Sequence, residues 1–144
     1  MKKLILLAFV SAFVFNSCRK DDDNKPTFVG TWKVDKYVTV FGNGGSQTFT
    51  PNSCEAKNSI TFTNDGKIIS VEYGNNYTGE CVSNTINGTY FYNEQNKTIA
   101  MYGDEVNTYE IASITDAELV FINKPSYDYD GDGKVDQDYI YYKK

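Results

Sequence analysis

The chain has 144 residues, with 14 lysines and arginines, 19 aspartates and glutamates, no histidine and a net charge of −5. This length predicts a single domain, and the acidic balance argues against nucleic acid or anionic lipid as a partner of the folded surface. Without histidine the usual serine and cysteine triads are excluded, and no carboxylate pair falls at evidently facing strand positions, so we expect no enzymatic activity. Twelve tyrosines within an aromatic content of 15% favour half-buried strands, and the predicted class is all-β.

The first residues have the composition of an export signal. Two lysines precede an apolar run that reaches Phe15, and the run is too short to span a membrane comfortably. We therefore predict a signal peptide over residues 1–17, whose removal takes away two lysines and no acid and changes the net charge to −7. The charged residues that follow Cys18 include no apolar side chain to bury, which predicts a solvated tether over residues 18–27.

The sequence Phe-Asn-Ser-Cys at residues 15–18 resembles the lipobox of bacterial lipoproteins. The resemblance implies that the thiol of Cys18 receives a diacylglycerol, that acyl chains such as palmitate anchor the chain, and that Cys18 is the mature N-terminus. A basic residue followed by several acids, at residues 19–23, is similar to the surface-export signal of Bacteroidetes lipoproteins. This implies an outer-membrane lipoprotein that faces the cell surface. The alternative is a secreted protein with an incidental cysteine.

From residue 28 to the C-terminus, short segments alternate apolar and polar residues and are separated by turn residues, with no helical period. The connectors Asn-Asp-Gly at 64–66, Gly-Asp-Glu at 103–105 and Thr-Asp-Ala at 115–117 are short enough for sequential hairpins. Sequential hairpins predict an eight-stranded antiparallel up-and-down barrel over residues 28–144. The predicted strands are 29–41, 59–63, 67–73, 85–92, 98–102, 106–114, 118–123 and 138–143.

The period-two alternation also predicts which side chains share the core face of each strand. An eight-stranded barrel is either filled by side chains or holds one small ligand, and the abundance of Tyr and Phe favours a mostly filled interior. The candidate core residues are Trp32, Val34, Val38 and Val40; Ile60 and Phe62; Ile69 and Val71; Tyr109 and Ile111; Leu119 and Phe121.

A glycine, any residue and a tryptophan open the first strand, at Gly30-Thr31-Trp32. This triplet resembles the first motif of lipocalins, and together with Gly88-Thr89-Tyr90, the Cys54 region and a lysine-rich end it resembles the short lipocalin-like domain of bacterial lipoproteins. The resemblance implies that Trp32 closes the barrel floor and borders any bound ligand. The chain departs from lipocalins in having no arginine beyond Arg19 to stack on Trp32. The alternative for Trp32 is an ordinary core residue of an antiparallel sheet.

Two cysteines remain if Cys18 is lipidated. In an exported protein such a pair forms and keeps a disulfide, so we predict a bond between Cys54 and Cys81. A redox or zinc role is not expected, because the two are far apart in sequence and no histidine accompanies them.

The segment 128–136 reads Asp-Tyr-Asp-Gly-Asp-Gly-Lys-Val-Asp. Oxygen ligands at positions one, three and five, glycine at six and an acid at nine match the first nine positions of a calcium loop. The glutamate that an EF-hand carries at position twelve is missing, and the segment resembles instead the calcium loops between strands of integrin-type hairpins. The alternative is a solvated turn. The predicted structural Ca²⁺ ligands are Asp128, Asp130, Asp132, Asp136 and the backbone carbonyl of Lys134.

Three functions fit these features. The first is a monomeric, surface-anchored module that meets a polymer or protein partner through loops or outer tyrosines, which needs no cavity. The second is a carrier of a small hydrophobic ligand inside the barrel. The third is a scaffold or inhibitor acting through its loops. The aromatic content favours the first over the second.

Overall fold

Nine strands make up most of the chain that the computed structural model describes, residues 28–123 and 126–144. The predicted signal peptide over residues 1–17, the lipidation site Cys18 and the tether up to residue 27 lie outside the described residues. A 3₁₀ turn at Glu55–Lys57 precedes the third strand. The strands are β1 (Gly30–Val40), β2 (Ser46–Phe49), β3 (Ser59–Phe62), β4 (Lys67–Asn75), β5 (Cys81–Asn93), β6 (Thr98–Tyr102), β7 (Val106–Ile114), β8 (Glu118–Asn123) and β9 (Gln137–Lys143).

Eight of these strands close a barrel. Strand β1 pairs with β3 on one edge and with β9 on the other, and β3 to β9 pair in sequence order. Every pair is antiparallel. The predicted eight-stranded antiparallel up-and-down barrel is therefore confirmed, and three predicted strands, 98–102, 106–114 and 118–123, have the observed bounds.

Strand β2 is the one described strand that the sequence does not predict. Its four residues pair with the second half of β1, from Tyr37 to Val40, and all four are exposed. Because neither face of β2 is buried, its sequence carries no alternation from which a strand could be recognised.

A bulge in β1 changes which residues face the interior. The pairing with β9 shifts between Val34 and Lys36, so one extra residue is inserted there. Beyond the bulge Tyr37 lines the interior, whereas Val40 is 38% exposed. The prediction that Val38 and Val40 share the core face of Trp32 is therefore wrong.

The predicted core face of β4 is also wrong. Ile68 is 5% exposed and Ile69 is 39% exposed, the reverse of the expectation that Ile69 and Val71 point inward. The pairing with β3 explains this result, because Ile68 lies opposite Phe62 and Ser70 lies opposite Ile60. Directly opposed residues share a face, so the inward Phe62 brings Ile68 into the core.

The two ends of the barrel differ in their connections. At one end the turns over residues 63–66, 94–97 and 115–117 are short, and Phe28 and the C-terminal Lys144 lie there; we call this the closed end. At the other end lie the β4–β5 hairpin, the β6–β7 turn and the acidic segment 126–136; we call this the open end. The first described residue therefore enters the barrel at the closed end.

The core fills the closed half of the barrel. Trp32, Leu119, Phe121 and Ile99 are fully buried, and Phe28 makes edge contacts with Phe62 at 5.5 Å between ring centroids. The buried cluster consists of Trp32, Ile60, Phe62, Ile68, Ile99, Met101, Ile111, Leu119 and Phe121.

The strand pairings lie wholly within residues 30–143, so residues 28–144 contain a complete closed sheet that we expect to fold without the preceding segment. Over the described residues, no helix has the length and apolar character needed to cross a membrane.

Candidate functional site

The open half of the barrel contains a cavity of about 390 Å³. Its apolar wall is formed by Ile60, Ile68, Ile86 and Met101. Polar and aromatic side chains form the rest of the wall: Ser70, Glu72, Asn107, Tyr109 and Tyr142. The β6–β7 turn forms the rim, with Gly103, Asp104 and Glu105.

A second recess of about 310 Å³ adjoins the first. It extends towards β1, where Val34 and Tyr37 line it, and towards Asn58. The two recesses share the residues Ile60, Ser70, Glu72, Tyr109 and Tyr142, so they lie on either side of the same side chains. The expectation of a mostly filled barrel holds for the closed half and is wrong for the open half.

Aromatic rings form the base of this cavity. Tyr109 stacks on the buried Phe121 with ring centroids 5.3 Å apart and an interplanar angle of 20°. Tyr142 meets the same Phe121 edge-on at 5.5 Å. The two tyrosines contact the packed core through Phe121 and also line the cavity, so they separate the core from the open space.

Burial and nearby carboxylates shape the electrostatics of the cavity, and Glu55 adds to the effect at Tyr37. Burial is the main cause that raises the pKa of Tyr142, and it also raises the pKa of Tyr109 and of Tyr37. The negative charge of Glu72 raises the pKa of all three phenols further. At neutral pH the phenols are thus uncharged, and Glu72 is the carboxylate in the cavity lining whose charge acts on all three.

Trp32 lies at the closed end and does not line the cavity. It is fully buried, and its indole Nε1 donates to the backbone carbonyl of Phe28 at 2.6 Å. The Lys144 Nζ lies 4.7 Å from the centroid of the indole ring. A lysine thus stacks on the tryptophan where lipocalins have an arginine, which the sequence reading did not anticipate because it considered only arginine for this contact.

The predicted disulfide is present between Cys54 and Cys81, whose Cα atoms are 5.6 Å apart. It joins the segment before β3 to the start of β5 at the open end. Asn58 supports the same region, since its Oδ1 accepts a hydrogen bond from the backbone N–H of Tyr73 at 2.6 Å. The segment before β3 is therefore tied covalently to the long β4–β5 hairpin.

The acidic segment brings together three of its four predicted carboxylate ligands. Oxygens of Asp128, Asp130 and Asp136 lie within 4.8 Å of one another. Asp132 is outside this group, and its Oδ1 accepts a hydrogen bond from the amide of Lys134 at 2.8 Å.

Backbone amides hold these carboxylates in place. Asp128 accepts bonds from the amides of Gly131 and Gly133, and the fully buried Asp136 accepts from Gly42 at 2.9 Å and Tyr129 at 2.6 Å. Each carboxylate offers about four lone-pair positions, so these bonds leave room for a cation.

Repulsion within the acidic segment is evident at Asp130. The amide of Asp132 lowers the pKa of the Asp130 carboxyl, but desolvation and the charges of Asp132, Asp136 and Asp128 outweigh it and raise the pKa. The segment also contacts the β1–β2 turn closely, because a Cβ on Gly42 would lie 2.3 Å from the Cβ of Lys134.

Sequence reasoning did not single out Glu72 or Ser70 as site residues. The signal that identifies them is the pairing of β4 with β3, which places Ile68, Ser70 and Glu72 on the interior face at alternate positions. The alternation in the sequence predicts that Ile69 and Val71 face the interior. The neighbouring Glu72 is then predicted to face outward.

Comparison with known proteins places this architecture in a family. A family model described as a lipocalin-like domain matches residues 28–121, well over half of the chain. No curated protein sequence matches the chain.

Solved structures of similar shape include animal lipocalins. The bovine lipocalin allergen Bos d 2 is 15% identical, with a TM-score of 0.43 over 80% of this chain and 71% of the allergen. Aphrodisin, a sex pheromone from female hamster, is 14% identical with a TM-score of 0.42 over 80% and 73%. A dog lipocalin allergen is 17% identical with a TM-score of 0.42 over 82% and 74%. The family match to residues 28–121 shows that this chain belongs to the lipocalin-like domain family.

Proposed function

We propose that the protein is a binding protein that holds a small amphipathic molecule in the open half of its barrel. The observation that carries the proposal is the cavity of about 390 Å³ above the aromatic base of Tyr109 and Tyr142. Pockets for small molecules start at roughly 300 Å³ and combine an apolar wall with a few polar groups. Ile68 and Met101 provide such a wall, and Ser70 and Glu72 provide polar groups.

The experiment is a binding titration of residues 25–144 with the fluorescent apolar probe N-phenyl-1-naphthylamine. Ser70 lines both recesses, so a phenylalanine at this position would extend into the cavity, and Ser70→Phe should weaken probe binding by about tenfold or more. The matched control is Ile69→Phe on the same strand, which points outward and should bind like the parent. Equal binding by all three proteins, or none by the parent, would contradict the proposal.

Exposed aromatic side chains favour a second candidate, interaction with a polymer or protein partner. Tyr77 is fully exposed at the tip of the β4–β5 hairpin, and Phe91 is 63% exposed on the outer face of β5. This function requires no cavity. A parent protein that fails to bind the probe would therefore favour this candidate over ligand binding in the barrel.

We also propose that the protein is a lipoprotein acylated on Cys18, anchored in the outer membrane and exposed at the cell surface. The support is the sequence around Cys18, together with the entry of the chain at the closed end, which would direct the cavity mouth away from the membrane. The intact mass of protein extracted from membranes should exceed that of unmodified residues 18–144 by the acyl groups. A Cys18→Ser variant that partitions with membranes like the parent would refute the anchor.

A structural Ca²⁺ bound by Asp128, Asp130 and Asp136 is our proposal for the acidic segment. The support is the convergence of three carboxylates within 4.8 Å, since hard oxygen donors are those that Ca²⁺ prefers. With a Kd in the roughly 10⁻⁴ to 10⁻³ M range of extracellular modules, 10 mM Ca²⁺ should stabilise the domain by about 1.4–2.7 kcal/mol. Asp130→Ala should abolish this gain in melting temperature, whereas Asp116→Ala at the closed end should keep it. No gain in the parent would refute the site.

A further inference from the structure

The cavity lining carries negative charge without a compensating base. Glu72 belongs to both recesses, and Asp104 and Glu105 line the rim on the β6–β7 turn. None of the described residues that line either recess is a lysine or an arginine. Any ligand that enters therefore meets a negative potential, which attracts cations and repels anions.

The Glu72 carboxylate has no partner among the described residues. It makes no hydrogen bond or ion pair there, and the two lysines nearest in sequence are engaged elsewhere. Lys67 pairs with Asp65, and Lys57 lies 5.6 Å from the ring centroid of Tyr73. Glu72 is exposed to solvent where it lines the cavity, so its charge is available to a molecule that enters from the solvent.

Aromatic rings surround the place where such a molecule would lie. Tyr37, Tyr109 and Tyr142 all line the space beside Glu72, and the charge of Glu72 acts on all three phenols. An organic ammonium group is attracted to the faces of aromatic rings as well as to a carboxylate. A carboxylate flanked by several tyrosines therefore matches an ammonium group through two different interactions.

We infer that the ligand is a small organic cation, an amine or quaternary ammonium with an apolar body, whose charged group binds at Glu72. This inference rests on the proposed function and names its ligand class. The apolar body lies against Ile68, Met101 and the ring of Tyr109, and the ammonium group lies between Glu72 and the phenols of Tyr37 and Tyr142. A ligand that carries a carboxylate, such as a fatty acid, is disfavoured because its negative charge would approach the like charge of Glu72.

Three probes of one shape separate charge from hydrophobic contact. Calorimetry of residues 25–144 with 2-phenylethylamine, 2-phenylethanol and 3-phenylpropanoate compares a cation, a neutral molecule and an anion with the same aromatic body. We expect the amine to bind at least tenfold more tightly than the alcohol, and the acid to bind more weakly than the alcohol. The preference should decrease as salt is added.

The variant that tests the role of Glu72 is Glu72→Gln, which keeps the shape and removes the charge. It should reduce amine affinity about tenfold and leave alcohol affinity unchanged. The control Asp116→Asn removes one negative charge at the closed end and should leave both affinities unchanged. Glu72→Lys, a second variant, should reverse the order of amine and acid.

The outcomes distinguish this inference from the proposed function. The inference is overturned if the three probes bind with equal affinity, or if the Glu72→Gln protein binds the amine like the parent. In either case, binding of the alcohol would still support the proposed function. Failure of all three probes and of the fluorescent probe to bind overturns both.

Discussion

The close approach of β6 to Gly88 gives a sharp test of the fold around the cavity. A Cβ at position 88 would lie 2.1 Å from the backbone oxygen of Tyr102 and 3.1 Å from the Cα of Gly103. The ladder between β5 and β6 begins one residue further along, at Thr89 and Tyr102. Gly88 therefore lies where the two strands separate and the β6–β7 turn leans over the interior face of β5.

Gly88→Ala requires the backbone at Tyr102 to move by about 1 Å, because backbone atoms cannot rotate out of the way as a side chain can. Overpacking of this kind costs about 1–3 kcal/mol. For a domain of this size that is a loss of about 4–12 °C in melting temperature. The assay is thermal and urea unfolding of residues 25–144, followed by the fluorescence of Trp32.

Gly74→Ala is the matched control. Gly74 lies on β4, the partner strand of β5, and a Cβ there would meet no atom within 4 Å. Alanine should be neutral or stabilise by up to about 1 kcal/mol, because it restricts the unfolded chain. If the Gly88→Ala and Gly74→Ala proteins unfolded alike, the close approach of Tyr102 to Gly88 would be refuted.

Three further predictions concern stability. Replacing both Cys54 and Cys81 with alanine should lower the free energy of unfolding by about 3.5 kcal/mol, because the bond closes a loop with a sequence separation of 27 residues; unchanged urea unfolding of the double variant would exclude this. Lys144→Met should cost about 0.5–1 kcal/mol and alter the emission of Trp32, on which the ammonium group stacks; identical spectra would contradict the contact. Burial raises the pKa of Tyr142, so its phenol stays protonated in the folded state while the unfolded chain ionises near pH 10. The contribution of Tyr142 to the free energy of unfolding is therefore fully present below about pH 10 and falls above it by up to about 1.4 kcal/mol per pH unit. In urea unfolding between pH 9 and 11, the free energy of unfolding should decline less steeply for Tyr142→Phe than for the parent, and equal slopes would contradict this.

The strands were predictable because each has a local signal. Strands β6 and β7 have short polar turns on both sides, and β8 is a short apolar run preceded by such a turn. The bounds of all three agree with the prediction to the residue. Strand β2 lacks that signal because its residues are exposed on both faces and are held by pairing with β1. A strand that depends on its partner for stability cannot be recognised from its own four residues.

The predicted core faces were wrong in strands where pairing with a neighbour decides which alternate residues face the interior. The consecutive apolar residues Ile68 and Ile69 allow either phase, and pairing with β3 selects the one that buries Ile68. In β1 the bulge beyond Val34 reverses the phase within one strand, so Tyr37 replaces Val38 on the interior face. Both errors are one-residue shifts, which exchange the two faces of a strand completely.

These one-residue shifts decide what the cavity contains. The large aromatic content of the chain predicts a filled barrel only if the rings point inward, but Tyr77, Phe91 and Tyr102 are exposed to solvent. In the open half the interior positions of β4 are taken by Ser70 and Glu72, which are too small or too polar to fill it. Composition counts side chains without assigning them to a face, so it could not reveal that this barrel keeps an open, acidic half above a packed one.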